Sequence, residues 1–380
     1  MRSCFPGLGN QTGDMRERDV SELLQSTPAT TWRPHMPDAA VSERLALGSE
    51  RAVAGAAIGA AGMAVPDQVV ENEPIAERLG VEAQWIVKRT GISRRHVLAP
   101  GERLIDIAAK AGAGALAEAT LDPDDVDLVL VATTTKDHLT PDAAPQVAAE
   151  IGARRAGAFD VGAACTGFVT GVAVARGQIE TGAAECVLVI GADALFQYLD
   201  HDDKRTAGLF GDGAGAVVMT ATDPPGRVST PVLRADGAQA DLIVAQHGAT
   251  IEMQGRETFE NAVARLSEVT GQALAGAGIE AEDIDLFVYH QANRRILRAV
   301  GERLGLPPER VLDYIAEYAN TSAATIPIAL ARAQADGTLA SGQRLLLAAF
   351  GAGFTWGAVI VDWGLDEGSK RSPEVERRGA

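Results

Sequence analysis

The stretch DVGAACTGFVTGVAVARG, residues 160–177, sets a thiol, Cys165, among Gly162, Ala163, Ala164, Thr166 and Gly167, all too small to shield it. Apolar residues at helical spacing follow, so the sulfur stands at a strand-to-helix joint. A thiol is a nucleophile once ionised, and a helix start supplies roughly 0.3 to 2 kcal/mol towards that, with unsatisfied N–H groups besides. Two other residues have the types that would complete such chemistry. His290 ends an apolar run and opens HQAN, and Asn320 opens NTSAA before another apolar helical run. The imidazole can accept the thiol proton or hydrogen-bond to it. His290 Nε2–H and the Asn320 amide can also act as two fixed neutral donors to an oxygen on which negative charge develops.

These residues lie far apart in sequence, and an internal repeat shows how they converge. ALAEATLDPDDVDLVLVA at 115–132 aligns without a gap with ALAGAGIEAEDIDLFVYH at 273–290. VAVARGQ at 172–178 then matches IALARAQ at 328–334, and ECVLVIGA at 185–192 matches QRLLLAAF at 343–350, in the same order. A repeat this long is a duplicated domain. In each copy strands rich in Val and Leu alternate with helices, which predicts an α/β fold with largely parallel, doubly covered sheets. Cys165 and Asn320 take nearly equivalent helix-start positions, and His290 takes a strand end. Strand carboxyl ends are where open α/β sheets place their ligands.

Composition sets the outer bounds. The chain has 380 residues, 46% of them apolar, enough for one large core or two domain-sized ones. Three cysteines (Cys4, Cys165 and Cys186) imply no disulfide framework, and Cys186 in ECVLVIGAD reads as a buried, inert thiol. The six histidines are scattered with no HExxH pair, so no metal site is expected. The apolar segment 52–65 ends at Pro66 and is too short to span a bilayer, which predicts a core strand and a cytoplasmic protein. A formal charge of −17 argues against nucleic acid. On so acidic a chain, KRTGISRRH (88–96) and NRRILRAVGER (293–303) point to an anionic ligand or partner. The boundaries expected are a flexible arm over 1–50, with Met36 a possible later start, a first half over 51–225 carrying the cysteine, a second half over 226–365 carrying His and Asn, and a flexible tail over 366–380.

WIVKRTGISRRH (85–96), AACTGF, FGDGAGAVV (210–218), HQAN, NTSAA and FGAGFTWGA (350–358), in family order along the chain and within a resemblance that runs from about 52 to 363, together resemble the β-ketoacyl-acyl-carrier-protein synthase III family of the thiolase superfamily. The resemblance implies a five-layered αβαβα sandwich of two similar halves, usually a homodimer. It implies an acyl-CoA primer transferred to Cys165, then malonyl on acyl carrier protein decarboxylated with the help of His290 and Asn320, with no further cofactor. Backbone N–H groups of Cys165 and Ala352 would form the oxyanion hole, although many relatives carry Gly at the second position. Trp85 would stack on adenine with Arg89 beside it, Asn293 would line the pantetheine tunnel, and Phe350 would wall the cysteine pocket. Arg294, Arg295 and Arg298 would meet the carrier protein. A further family arginine falls near Lys204 and Arg205, in a segment one residue shorter than the family pattern.

Departures from the pattern concern specificity. Thr140 stands where some relatives place a phenylalanine that closes the primer pocket across the dimer, which suggests room for a longer or branched chain. The loop between Asp236 and Met253 is shorter than in housekeeping relatives. Gly211, Gly213 and Gly215 lack GxGxxG spacing and read as close backbone packing. Two alternatives remain at this point: an acyltransferase of the same fold that does not condense, whose relatives often lose the Asn, and a non-catalytic partner subunit, which usually lacks the Cys.

Overall fold

Runs of Ala, Val, Leu and Ile with few polar positions become strands that are buried on both faces, as sheets flanked by helices require. The structure is a computed structural model and describes residues 55–223, 226–246 and 248–365. The arm expected over 1–50 and the tail expected over 366–380 lie outside the described residues. The strands are β1 (Gly55–Ala64), β2 (Val69–Glu71), β3 (Arg94–His96), β4 (Leu128–Ala132), β5 (Gly157–Val161), β6 (Cys186–Ala194) and β7 (Asp212–Thr222), followed by β8 (Val232–Ala235), β9 (Ile243–Ala245), β10 (Ile251–Met253), β11 (Leu286–Tyr289), β12 (Arg344–Gly351) and β13 (Thr355–Asp362). The helices are α1 (Asn72–Leu79), α2 (Ala83–Thr90), α3 (Leu104–Ala119), α4 (Ala143–Ile151), α5 (Gly167–Glu180), α6 (Gly255–Ala277), α7 (Arg294–Leu304), α8 (Ile315–Tyr318) and α9 (Thr325–Ala335).

Two sheets carry the fold, ordered β1-β7-β6-β4-β5 and β8-β13-β12-β11. β4 is parallel to β5 and β6, and β11 is parallel to β12. β7 and β13 return antiparallel to β6 and β12. Strand for strand, β1, β7, β6 and β4 correspond to β8, β13, β12 and β11, and only β5 has no counterpart. The likeness extends to local detail. Each of β4 and β11 is preceded by a single 3-10 turn closed by a reciprocal capping box, Asp122 with Asp125 and Glu280 with Asp283.

Five layers result. On the outer face of the first sheet, α3 and α4 bury Ile107, Ala111 and Val147 against Leu188, Ile190 and Val218. Between the sheets, Phe168 and Val172 of α5 and Ile326 and Leu330 of α9 meet Val189, Val217, Leu347 and Val359. On the outer face of the second sheet, Leu266 and Val269 of α6 and Leu297 and Val300 of α7 pack on Phe287, Leu346 and Ile360. Each such large side chain contributes roughly 1.5–3 kcal/mol on burial. This is the αβαβα sandwich that the repeat and the family resemblance lead one to expect.

The middle layer packs tightly enough to require glycine. A methyl on Gly215 would lie 2.6 Å from Ile328 N, and one on Gly191 would lie 2.2 Å from Ala323 O. FGDGAGAVV is therefore a packing surface for α9, as its spacing suggested. Two stitches join distant parts of the chain. Asn320 N–H donates to Leu209 O at 3.0 Å while Gly211 N–H donates to Asn320 O at 3.1 Å. Near the far end, Ile58 forms an isolated bridge with Trp363, and Gly364 N–H donates to Ile58 O at 2.9 Å.

Candidate active site

β5 ends at Val161, and the chain passes through a 3-10 turn, Ala164–Thr166, directly into α5. Ala164 sits at φ 45°, a left-handed conformation that costs an L-residue energy and persists only where neighbours enforce it. The Thr166 and Thr355 hydroxyls, 2.6 Å apart, tie this turn to the start of β13. Cys165 is thereby held half-buried. Its Sγ lies 3.4 Å from the Ser322 hydroxyl, and burial pushes the thiol pKa up to about 12 despite that contact. Desolvation here outweighs the roughly 0.3 to 2 kcal/mol that a helix start supplies towards ionisation. A neutral thiol is the resting form.

His290 follows β11, with its N–H donating to Ala348 O at 2.8 Å, and its ring is buried. Nδ1 lies 2.7 Å from Thr325 Oγ1. Desolvation pushes its pKa down to about 3, so the imidazole is neutral at pH 7. Asn320 is pinned by the stitch to Leu209 and Gly211. Its Oδ1 accepts from Ser322 N–H at 2.9 Å, capping the turn that leads into α9 and leaving the amide N–H groups for a ligand.

The three side chains line one cavity of about 890 Å³. Phe350, Gly351 and Ala352 at the end of β12 line it too. Gly351 lies so close to the nucleophile that a methyl there would sit 2.9 Å from Cys165 N. Phe350 is buried and tilted against Phe354, with ring centroids 5.1 Å apart. Trp85, Arg89, Lys204, Arg205, Asn293 and Arg295 line the same cavity. The Arg89 guanidinium lies 4.6 Å over the Trp85 ring, so a planar ligand entering between them must displace the arginine. Asn293 also caps α7, its Oδ1 accepting from Arg295 N–H at 2.9 Å and its Nδ2 donating to Arg89 O at 3.1 Å. Arg295 is exposed, 5.5 Å over Phe259.

Other expected residues stand elsewhere. Thr140 is exposed and does not line the cavity of its own chain. Arg294 is tied to Asp313, Nε to Oδ2 at 2.5 Å, and Arg298 is exposed on α7 away from the cavity. Within the 88–96 cluster, Arg95 is fully buried and donates to Asn72 Oδ1, Val70 O and Gly208 O, while Arg94 pairs with Glu317 at 3.0 Å. These two arginines hold loops together and are not an anion surface. Among the described residues, no group of three or more His, Cys, Asp or Glu is placed to hold a metal ion, and no helix is long and apolar enough to cross a membrane.

Some site residues were not singled out from the sequence. Leu195, Leu209, Ile251 and Met253 give the cavity an apolar wall. Asp193 is completely buried, accepting at Oδ1 from Thr133, Thr134 and Thr135 and at Oδ2 from Ala323 N–H, and burial raises its pKa. A lone Asp in the apolar run VLVIGAD, with the TTT run of 133–135 elsewhere, was the available signal. Ser322 and Thr325, two and five residues after Asn320, are hydroxyls in an otherwise apolar stretch.

Known proteins share this fold. The family model for 3-oxoacyl-[acyl-carrier-protein (ACP)] synthase III matches residues 159–237, and that for its C-terminal region matches residues 274–363. The β-ketoacyl-[acyl-carrier-protein] synthase III 2 of Streptomyces coelicolor is 47% identical over 313 residues, covering 82% of this chain and 94% of that protein. The chain belongs to the β-ketoacyl-acyl-carrier-protein synthase III family. A crystal structure of the 3-oxoacyl-(acyl carrier protein) synthase III of Pseudomonas aeruginosa PAO1 is similar to this synthase-family chain with a TM-score of 0.78 at 40% identity, over 82% of this chain and 99% of that one. The priming β-ketosynthase from the R1128 polyketide biosynthetic pathway aligns with a TM-score of 0.79 at 31% identity, over 83% of this chain and 98% of that one.

Proposed function

We propose that this chain takes an acyl group from acyl-CoA onto Cys165 and condenses it with malonyl-acyl carrier protein by decarboxylative Claisen condensation, in fatty acid or polyketide biosynthesis. The observation that carries the reading is the meeting of thiol, neutral imidazole and free carboxamide N–H in one cavity. A buried neutral thiol cannot attack unaided, and His290 supplies a proton acceptor. Backbone N–H groups of Cys165 and Ala352 hold the oxyanion as the acyl group transfers. Coenzyme A leaves, malonyl enters, and loss of carbon dioxide gives an enolate held by His290 and Asn320. Its carbon attacks the acyl-cysteine and releases β-ketoacyl carrier protein. A neutral carboxamide stabilises the enolate without competing for a proton, so Asn320 favours condensation over simple acyl transfer.

The cavity wall fits the remaining roles. Trp85 and Arg89 are placed at it for the nucleotide of coenzyme A, Asn293 for pantetheine, and exposed Arg295 with Arg298 for an acidic carrier protein. Arg294, neutralised by Asp313, is assigned the structural task of holding α7. A homodimer is proposed because β5 is an unpaired sheet edge with Phe159 42% exposed and Leu139 beyond it 81% exposed, features a monomer normally covers. Thr140 would then face the partner, and its small side chain leaves space for a longer or branched primer. No cofactor beyond these substrates is required, and a cytoplasmic location is assigned.

Intact-protein mass spectrometry after mixing with acyl-CoA, followed by carbon dioxide release from malonyl carrier protein, tests the assignment. Cys165→Ser is expected to take no acyl group. Asn320→Ala is expected to load normally and to condense roughly 10²–10³-fold more slowly, as when one oxyanion donor is lost. Normal condensation in either variant refutes the roles given.

A further inference from the structure

His290 has one polar neighbour at Nδ1, the hydroxyl of Thr325, 2.7 Å away. Thr325 is itself buried, and its Oγ1 lies 2.9 Å from Ser322 O, in line to donate. A hydroxyl has one proton. With that proton on the Ser322 carbonyl, the Thr325 oxygen can only accept, so the ring proton of neutral His290 belongs on Nδ1. Nε2 is then a bare lone pair. The sequence reading assigns Nε2–H the task of donating to a developing negative oxygen; in the resting ring that nitrogen carries no proton.

We propose that Thr325 is a positioning residue that fixes His290 as the Nδ1–H tautomer, so that Nε2 serves first as the base for Cys165 and only afterwards as an N–H donor. The inference rests on the function proposed above and deepens it. In loading, the Sγ–H bond breaks and its proton moves to Nε2 while the Sγ–C bond forms and the C–S bond to coenzyme A breaks. Coenzyme A departs as a thiolate and takes that proton from Nε2, which returns the ring to its neutral form. When the malonyl carboxylate enters, its negative charge favours protonation of the ring, so Nε2 takes a proton from water, and the imidazolium keeps its Nδ1–H on Thr325 and offers Nε2–H to the enolate formed as carbon dioxide leaves. When the enolate carbon attacks and the acyl C–Sγ bond breaks, the Nε2 proton returns to the sulfur and the starting tautomer is restored. A ring fixed as Nε2–H could donate to the enolate but could not accept the thiol proton.

Thr325→Val removes the hydroxyl at nearly constant shape and leaves an Nδ1–H without an acceptor, which favours the other tautomer. Loading of Cys165 by acyl-CoA is expected to slow by roughly 10²-fold, the scale of a lost general base. Carbon dioxide release by Thr325→Val that has first been acylated to completion, verified by mass, is expected to change by less than about threefold. Thr325→Ser is expected to restore loading. In ¹⁵N-histidine NMR of the empty wild-type protein, His290 is expected to show a pyrrole-like Nδ1 and a pyridine-like Nε2. Equal loss in both half-reactions, failure of Ser to rescue, or a resting Nε2–H tautomer overturns the inference. If wild-type protein takes no acyl group, or His290→Ala loads as fast as wild type, the functional reading itself fails, whichever tautomer the spectrum shows.

Discussion

Gly351 offers a way to disturb the nucleophile without touching any reacting group. Its backbone accepts alanine without strain, since φ lies outside the left-handed region, yet the added methyl would stand 2.9 Å from both Cys165 N and Cys165 Cβ and 3.3 Å from Cys165 Cα. Carbon contacts settle at about 3.5–4.0 Å. Relief therefore demands a movement of roughly half an ångström or more between β12 and the turn that carries Cys165. Neither side yields easily, because Gly351 pairs with Thr355 in the sheet and Thr355 is bonded to Thr166. An overpacked site of this kind costs about 1–3 kcal/mol of stability. Misplacing a reactive group by about 1 Å costs on the order of 10²-fold in rate, so half that displacement predicts acyl loading slowed about tenfold in Gly351→Ala. Single-turnover loading by quenched-flow mass spectrometry gives the rate, and circular dichroism confirms that the variant is folded. A folded Gly351→Ala that loads within about twofold of wild type would refute the claim that the β12 end sets the position of the thiol.

Charge reversal at Arg295 and Arg298 is expected to raise KM for malonyl carrier protein by an order of magnitude or more at low salt while leaving KM for acyl-CoA nearly unchanged for Arg298→Glu; steady-state kinetics with each substrate varied checks this, and equal effects on both count against carrier docking on α7. Because burial holds the His290 pKa at about 3, the pH profile of loading should show no inflection at the ordinary imidazole value near 6.5. The linkage runs the same way: unfolded His290 gains a proton below about 6.5 and the folded ring does not, so its contribution to stability is complete above that pH and is lost as pH falls towards 3. Raised to about 12, the resting Cys165 thiol should be alkylated at a rate that keeps climbing beyond pH 9, and a plateau near the ordinary thiol value of about 8.5 would show that burial does not hold the proton on the sulfur.

What the sequence made legible was whatever is encoded locally. Strand-forming runs, the turns before β4 and β11 and the order of matching segments define the two sheets, because each is set by neighbours a few residues apart. Cys165, His290 and Asn320 could be picked out for the same reason: each breaks an apolar pattern at an element boundary. Ionisation was not legible, since the burial that keeps the thiol neutral comes in part from Ser322, 157 positions away, and from Gly351 beyond it. The role of Arg294 turned on Asp313, and that of Arg95 on Asn72 and Gly208, partners that only the folded chain supplies. The tautomer of His290 hung on a threonine that reads in sequence as one more small helix residue.

The bridge from Ile58 to Trp363 and Gly364 has a bearing on how the protein is made. β1 pairs along its length with β7, yet at Ile58 it also meets Trp363, which is translated about three hundred residues later, and Cys165 is translated well before His290 and Asn320. The cavity that gathers these three residues is therefore completed only when β12, which carries Phe350, Gly351 and Ala352 to its wall, has been made and docked.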